Sequence, residues 1–290
     1  MRRILWVGMI LVFVLAPVTV CAATPTFDSL YVFGDSYCDV GNALIATGGA
    51  EPAFPYYSGR FSNGPIWVDH IASVLGVPLT PSLSGGTDFA IGGAEVTAPV
   101  QTPKGTIPSV PQQVLLYLSQ HGGKADPNAV YFIEGGGNDI VNIKTGSPDV
   151  LGYQIALGLA QSEFLLRQAG ARHFIIPNLF NIGLLPAAAD HIAFATAASA
   201  AANVWLNKLL FFERLLPRVR IIRIDINSLM NAVMKDATHF NFINVTTPCL
   251  TNTVCLDPDH TLFWDTIHPT AFVHSFFAVA IENTLAIEDR

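Results

Sequence analysis

A chain of 290 residues, 51% of them hydrophobic and only 13% charged, has ample material for a core and none for an array of domains. Its 15 Lys and Arg against 22 Asp and Glu, with no basic run beyond Arg2-Arg3, argue against a nucleic-acid partner. Mean hydropathy is high, +0.42, yet the longest uninterrupted apolar stretch, 4–16, is short of the ~20 residues that cross a bilayer as a helix.

The chain opens on what reads as an address: Arg2-Arg3, the apolar stretch, then the small Cys21-Ala22-Ala23. This is the layout of a secretory signal peptide. We expect a signal over residues 1–23, a single domain over 24–290, and a secreted or periplasmic protein. Acylation at Cys21 is the competing reading, disfavoured by Val20 where such sites take a small residue. Export leaves Cys38, Cys249 and Cys255 in an oxidising compartment. Cys249 and Cys255, with five residues between them, are the natural disulfide pair. Cys38 is then odd, and reads as a small buried hydrophobe. No C-x-x-C or H-E-x-x-H spacing occurs, so neither a metal nor a cofactor is expected.

Along the mature chain, short β-rich apolar runs at 29–33, 129–133, 172–176 and 219–224 alternate with helical spacing over 66–75, 110–119, 150–169, 191–216 and 269–287. Runs that are apolar on both faces are those of parallel strands covered by helices. The alternation predicts an α/β fold with one doubly wound, mainly parallel sheet. A further short strand is expected at 87–91. The Ala-rich stretch 187–202 reads as a helix packed close to a neighbour.

Three places carry chemistry. The first strand runs into Gly34-Asp35-Ser36, which presents a serine at the carboxyl edge of the sheet, where ligands bind in such folds. The second run, 129–133, leads into Glu134-Gly-Gly-Gly-Asn138-Asp139, whose glycines allow close backbone approach and whose Asn138 offers amide donors suited to an oxyanion hole. Near the end, Asp265-Thr-Ile-His268-Pro269 precedes the last helix. Pro269 keeps His268 in the preceding turn, and Asp265 can fold back on one imidazole nitrogen, leaving the other to take a proton. Each piece taken alone also fits a capping turn. His260, after Asp257-Pro-Asp259, is a rival base without a helix-entry proline, His173 reads as a packed strand residue, and Asn244-Val-Thr246 is a glycosylation sequon only in a eukaryotic source.

In this order the blocks resemble the GDSL or SGNH family of serine esterases and lipases: Phe33-Gly-Asp-Ser36, Phe89-Ala-Ile-Gly92-Gly93-Ala, Gly137-Asn138-Asp139 and Asp265-Thr-Ile-His268-Pro269, with Tyr57-Ser-Gly-Arg60-Phe61-Ser62-Asn63-Gly64 similar to the stretch before the family's first long helix. The resemblance implies a three-layer α/β/α sandwich of flavodoxin-like, SGNH-hydrolase type. It implies Ser36 as nucleophile, His268 as base and Asp265 as its orienter, with the Ser36 and Gly92 backbone N–H groups and the Asn138 side chain as oxyanion donors. Two positions depart from the family: Tyr37 replaces the leucine of its name, and Cys38 a small hydroxyl residue. The likeness to a secreted bacterial phospholipase, lysophospholipase and acyltransferase branch implies a lipid or other ester substrate, transient contact with a membrane surface, and a disulfide-closed loop 249–255 that either acts as a lid opened by an activating protease or staples the surface. The alternatives are a carbohydrate acetylesterase of the same fold and a non-catalytic lipid- or glycan-binding module.

Overall fold

A computed structural model describes residues 27–288; the expected signal segment and Cys21 lie outside them. The elements follow as β1 (Leu30–Phe33), α1 (Asn42–Ala46), α2 (Trp67–Leu75), β2 (Val100–Thr102), β3 (Gly105–Ile107), α3 (Val110–Gln120), β4 (Val130–Ile133), α4 (Gly137–Asn142), α5 (Pro148–Ala169), β5 (His173–Pro177), α6 (Ile192–Leu209), β6 (Arg220–Ile224), α7 (Ile226–Lys235) and α8 (Ala271–Glu288).

The four anticipated apolar runs form one parallel sheet in the order β1-β4-β5-β6. Alternation along β4 shows the layering directly. Tyr131 stacks its ring edge on Tyr117 of α3, whereas the next residue, Phe132, meets Trp67 of α2, which in turn packs on Phe277 of α8. Successive strand side chains point to opposite faces, so α3 covers one face and the α2–α8 pair the other. Every residue of β4 is consequently buried, as its unbroken apolar run requires. The expected strand at 87–91 is not a regular strand but runs beside β1 at the edge of the four-stranded sheet: Phe89 N–H donates to Val32 O at 2.8 Å and Ile91 N–H to Gly34 O at 3.2 Å. That extension lays Ile91-Gly92-Gly93 beside the end of β1.

Local signals account for several boundaries. Ser109 caps α3 with Pro111 in its first turn, Ser147 and Pro148 open α5, and Gly76 closes α2 in the left-handed region. The Ala-rich face of α6 lies against α5 so closely that a Cβ on Gly152 would stand 2.6 Å from Ala201 Cβ. Sequence spacing carried this helix to 216, but it ends at Leu209. The remainder turns away, and Arg167 of α5 reaches Glu213 there at 2.7 Å. The spacing also passed over the antiparallel β2–β3 hairpin, which buries no residue and so leaves no apolar periodicity to read.

Candidate active site

The nucleophile turn is built by clamps on both sides of Ser36. Gln113 of α3 accepts from Gly34 N–H and donates to Gly34 O, both at 2.9 Å. Glu134, at the end of β4, accepts from Asp35 N–H at 2.8 Å, and a Cβ on Gly34 would collide with its carboxyl, so glycine is required there. Asp35 then caps the turn through Tyr37 N–H. Burial pushes the Asp35 and Glu134 carboxyls up, each raising or answering the charge of the other. The pair anchors the serine turn to the middle of the sheet.

Ser36 and the terminal turn meet across 232 residues of chain. Ser36 Oγ lies 2.7 Å from His268 Nε2, and His268 Nδ1 lies 2.7 Å from Asp265 Oδ2. Because a carboxylate only accepts, Nδ1 carries a hydrogen, and Nε2 is the nitrogen that faces the serine hydroxyl. Asp265 receives three further donors: the N–H groups of Ile267 at 2.8 Å and His268 at 2.7 Å on Oδ1, and the Tyr56 hydroxyl at 2.7 Å on Oδ2. Burial alone would push this carboxyl up; the His268 charge and these hydrogen bonds outweigh it and hold it down at about 2. Tyr56, donating to Asp265 from the loop before Arg60, is a contact that sequence spacing did not signal. Phe61 lays its ring 5.0 Å from the His268 ring.

On the donor side, one expected group is already engaged. Gly92 N–H, the expected oxyanion donor, is already committed to Asp39 Oδ2 at 2.8 Å, as are the N–H groups of Gly41, Asn42 and Ala43 to the same carboxylate. Gly93 follows at φ +81°, beside Ser36 in the cleft wall, and among the described residues no acceptor is paired with its N–H. Of the two glycines, Gly93 is thus the one whose N–H is left for the cleft. Asn138, at the start of α4, spends one amide hydrogen on Ala94 O at 2.9 Å and keeps the other for the cleft. Asp139 beside it holds Val96 and Thr97, which ties the Asn138 turn to the chain after Gly93.

Ser36, Gly92, Gly93, Asn138 and His268 open into one cleft of about 550 Å³. Its inner wall is apolar, from Ala43, Phe61, Ile91 and Ile107. The outer wall comes from the end of α1 and from the β2–β3 hairpin, whose Lys104 reaches Glu51 at 3.9 Å across the mouth. The Cys249–Cys255 disulfide is formed. Its loop lines no part of this cleft; Cys249 and Leu250 N–H groups instead donate to Phe263 O and Trp264 O, bracing the strand-like segment that delivers Asp265. Cys38 is buried with Trp67 Nε1–H on its sulfur at 3.2 Å. His260 pairs with Asp257 rather than with the serine, and His173 sits within β5.

Comparison with known proteins bears on the family and the fold. The chain is 31% identical over 169 residues to Lipase 1 of Photorhabdus luminescens, covering 55% of this chain and 23% of that protein. It is 33% identical over 215 residues to acetylajmalan esterase 2 of Rauvolfia serpentina, covering 60% and 59%, and 27% identical over 350 aligned positions to a GDSL esterase/lipase of Arabidopsis thaliana, covering 89% and 85%. The chain thus spans about a quarter of the first of these relatives and three fifths of the second. Among solved structures, an aryl esterase of M. smegmatis superposes with a TM-score of 0.52 at 14% identity, and the carbohydrate acetylesterase Est24 of Sinorhizobium meliloti with 0.51 at 15%, each over 90% of this chain and 99% of the other. At such identities they speak for the α/β fold alone. The model of the GDSL-like lipase/acylhydrolase family matches residues 30–281, and the chain belongs to that family.

Proposed function

We propose that the protein is a secreted or periplasmic serine esterase that cleaves lipid esters, of the lysophospholipase or phospholipase A kind, through an acyl-enzyme on Ser36. The observation that carries this is the unbroken line Asp265–His268–Ser36, two hydrogen bonds of 2.7 Å at the head of an apolar cleft. In the reaction His268 Nε2 takes the Ser36 proton as Oγ attacks the ester carbonyl carbon. The carbonyl oxygen becomes an oxyanion received by Ser36 N–H, Gly93 N–H and the free Asn138 amide hydrogen. His268 then returns its proton to the leaving alcohol, and water, or an acceptor alcohol in a transferase turnover, repeats the sequence on the acyl-enzyme.

Cleft size favours a long acyl chain over acetate. One ordered water needs about 10–15 Å³ of such volume, so an acetyl group would leave most of some 550 Å³ filled with solvent against apolar walls, whereas an alkyl chain would cover Phe61, Ile91 and Ile107. A polar rim at Glu51 and Lys104 then faces the hydrated end of the substrate. Export is supported by the signal layout and by the disulfide, which suits an oxidising compartment. The testing experiment compares kcat/KM on a lysophospholipid, a diacyl phospholipid, a short p-nitrophenyl ester and an acetylated xylan. The lysophospholipid is expected to lead. Preference for the xylan would replace the lipid reading with the acetylesterase one, and turnover of none would favour a binding module.

A further inference from the structure

Tyr37 stands where the family carries leucine, directly after the nucleophile. Its ring is 8% exposed and packs between Phe180 and His268, at 5.8 and 5.9 Å. What a leucine lacks is the hydroxyl, and here the hydroxyl donates to the backbone carbonyl of Ile267 at 2.7 Å.

That carbonyl belongs to the peptide unit joining Ile267 to His268. The N–H of the same unit donates to Asp265 Oδ1 at 2.7 Å. A peptide unit is a rigid plane, and a plane pinned at both its oxygen and its nitrogen has lost its freedom to rock. One pin comes from the terminal turn itself. The other comes from the nucleophile turn, 230 residues away in sequence. Beyond the plane, His268 O accepts from Trp264 N–H at 2.8 Å, so the backbone on either side of the imidazole is fixed before the side chain makes any contact of its own.

We infer that Tyr37 is a positioning residue: its hydroxyl locks the peptide plane that carries His268 to the turn that carries Ser36, and so sets the Nε2-to-Oγ separation. The inference rests on Ser36 being the nucleophile. Burial pushes the phenol well above its ordinary range, so it stays a donor at every pH where the enzyme works. Three groups then move as one body: the serine turn, the phenol ring, and the turn from Asp265 to His268. Without the hydroxyl the one hydrogen bond left between the two turns among the described residues is that of Ser36 and His268 themselves, which the chemistry must break.

The test uses the full mature protein and three variants, Tyr37→Phe, Tyr37→Leu and Ser36→Ala, assayed on a p-nitrophenyl ester below the melting temperature of each. The Phe variant removes one oxygen and keeps the ring. Expected is a fall in kcat of about 10- to 100-fold, the scale of a misaligned catalytic group, with KM within about twofold and equal effects in Phe and Leu. Labelling of the serine by a phosphonate probe, which needs the base but no acyl pocket, should slow by the same factor. A Tyr37→Phe protein that keeps kcat within twofold, whatever its melting temperature, would make Tyr37 a packing residue and overturn the inference. So would a loss confined to KM. Ser36→Ala separates the two possible failures: residual turnover at the wild-type level would remove the nucleophile itself, whereas an inactive Ser36→Ala beside a fully active Tyr37→Phe would overturn only the role of Tyr37. If Tyr37→Leu does not fold, the Phe variant carries the test alone.

Discussion

The chain contains three Asp-x-x-His pairs, and two of them, eight residues apart, make nearly the same side-chain contact. His260 Nδ1 lies 2.8 Å from Asp257 and His268 Nδ1 2.7 Å from Asp265. Their surroundings differ entirely. The first pair is 44% exposed on both side chains, the second 10% on the histidine and 16% on the aspartate. Asp265 takes four donors, including Tyr56 from 209 residues away, and only its histidine finds a serine. An exposed ion pair is screened and worth little. A buried one with every lone pair satisfied keeps a fixed geometry and a fixed tautomer. Sequence spacing makes the dyad; burial and distant donors fix its geometry against Ser36.

The sharpest way to break this comparison is to remove the histidines in turn. Ser36→Ala and His268→Ala should each cut ester turnover by at least ~10³-fold with the fold intact, while His260→Ala should leave kcat/KM within about twofold. Stopped-flow or steady-state kinetics on a p-nitrophenyl ester checks both, and a large loss at His260 would abolish the distinction. Asn138→Ala comes next, with kcat down roughly 10²- to 10³-fold and KM little changed; an effect on KM alone would make Asn138 a binding group.

The donors to Asp265 give smaller effects. Tyr56→Phe should lower kcat by about tenfold, the scale of a lost hydrogen bond to a charge, and move the acid limb of kcat/KM to higher pH, because a carboxylate with one donor fewer holds the imidazolium more strongly. No shift in that limb would reduce Tyr56 to packing. Reduction of Cys249–Cys255 loosens the segment that delivers Asp265, so turnover should fall by a few-fold on long and short esters alike. A selective gain on long-chain substrates would instead restore the lid.

Stability provides the mildest contrast. The Asp265 carboxyl is held at about 2 in the fold, below its ordinary value, so it contributes stability that is fully present above about pH 4 and lost as pH falls towards 2. Thermal melts across that window should show the loss in the wild type and less of it in Asp265→Asn. Glu163 runs the other way. Burial, only partly offset by Arg167, raises its carboxyl to about 7, so its contribution is present at low pH and is lost as pH rises from about 4.5 to 7; Glu163→Gln should flatten the decline in melting temperature over that range.

Much of this site was legible because its pieces are local. A serine at a strand end, glycines before Asn138 and a proline after His268 are each dictated by short-range backbone geometry, and the strands β1, β4, β5 and β6 announced themselves by apolar runs. The hairpin at 100–107 was not legible, since it buries nothing and leaves no period in the sequence. Gly92 and Gly93 are equal as residues; only the Asp39 carboxylate, reaching 53 positions along the chain, occupies the N–H of the first. Tyr56 and Tyr37 look like ordinary aromatics until their hydroxyls are seen to end on Asp265 and Ile267.

Sequence by itself therefore determined the fold class, the candidate site residues and the family, because these follow from periodicity, turn chemistry and the order of a few short blocks. Tertiary structure alone decided which Asp-x-x-His meets Ser36, which glycine N–H is already engaged, what walls the cleft and what holds the His268 turn in place. The physical reason is distance along the chain: hydrogen bonds that span 200 residues or more are settled by packing of the whole core, and no local propensity encodes them.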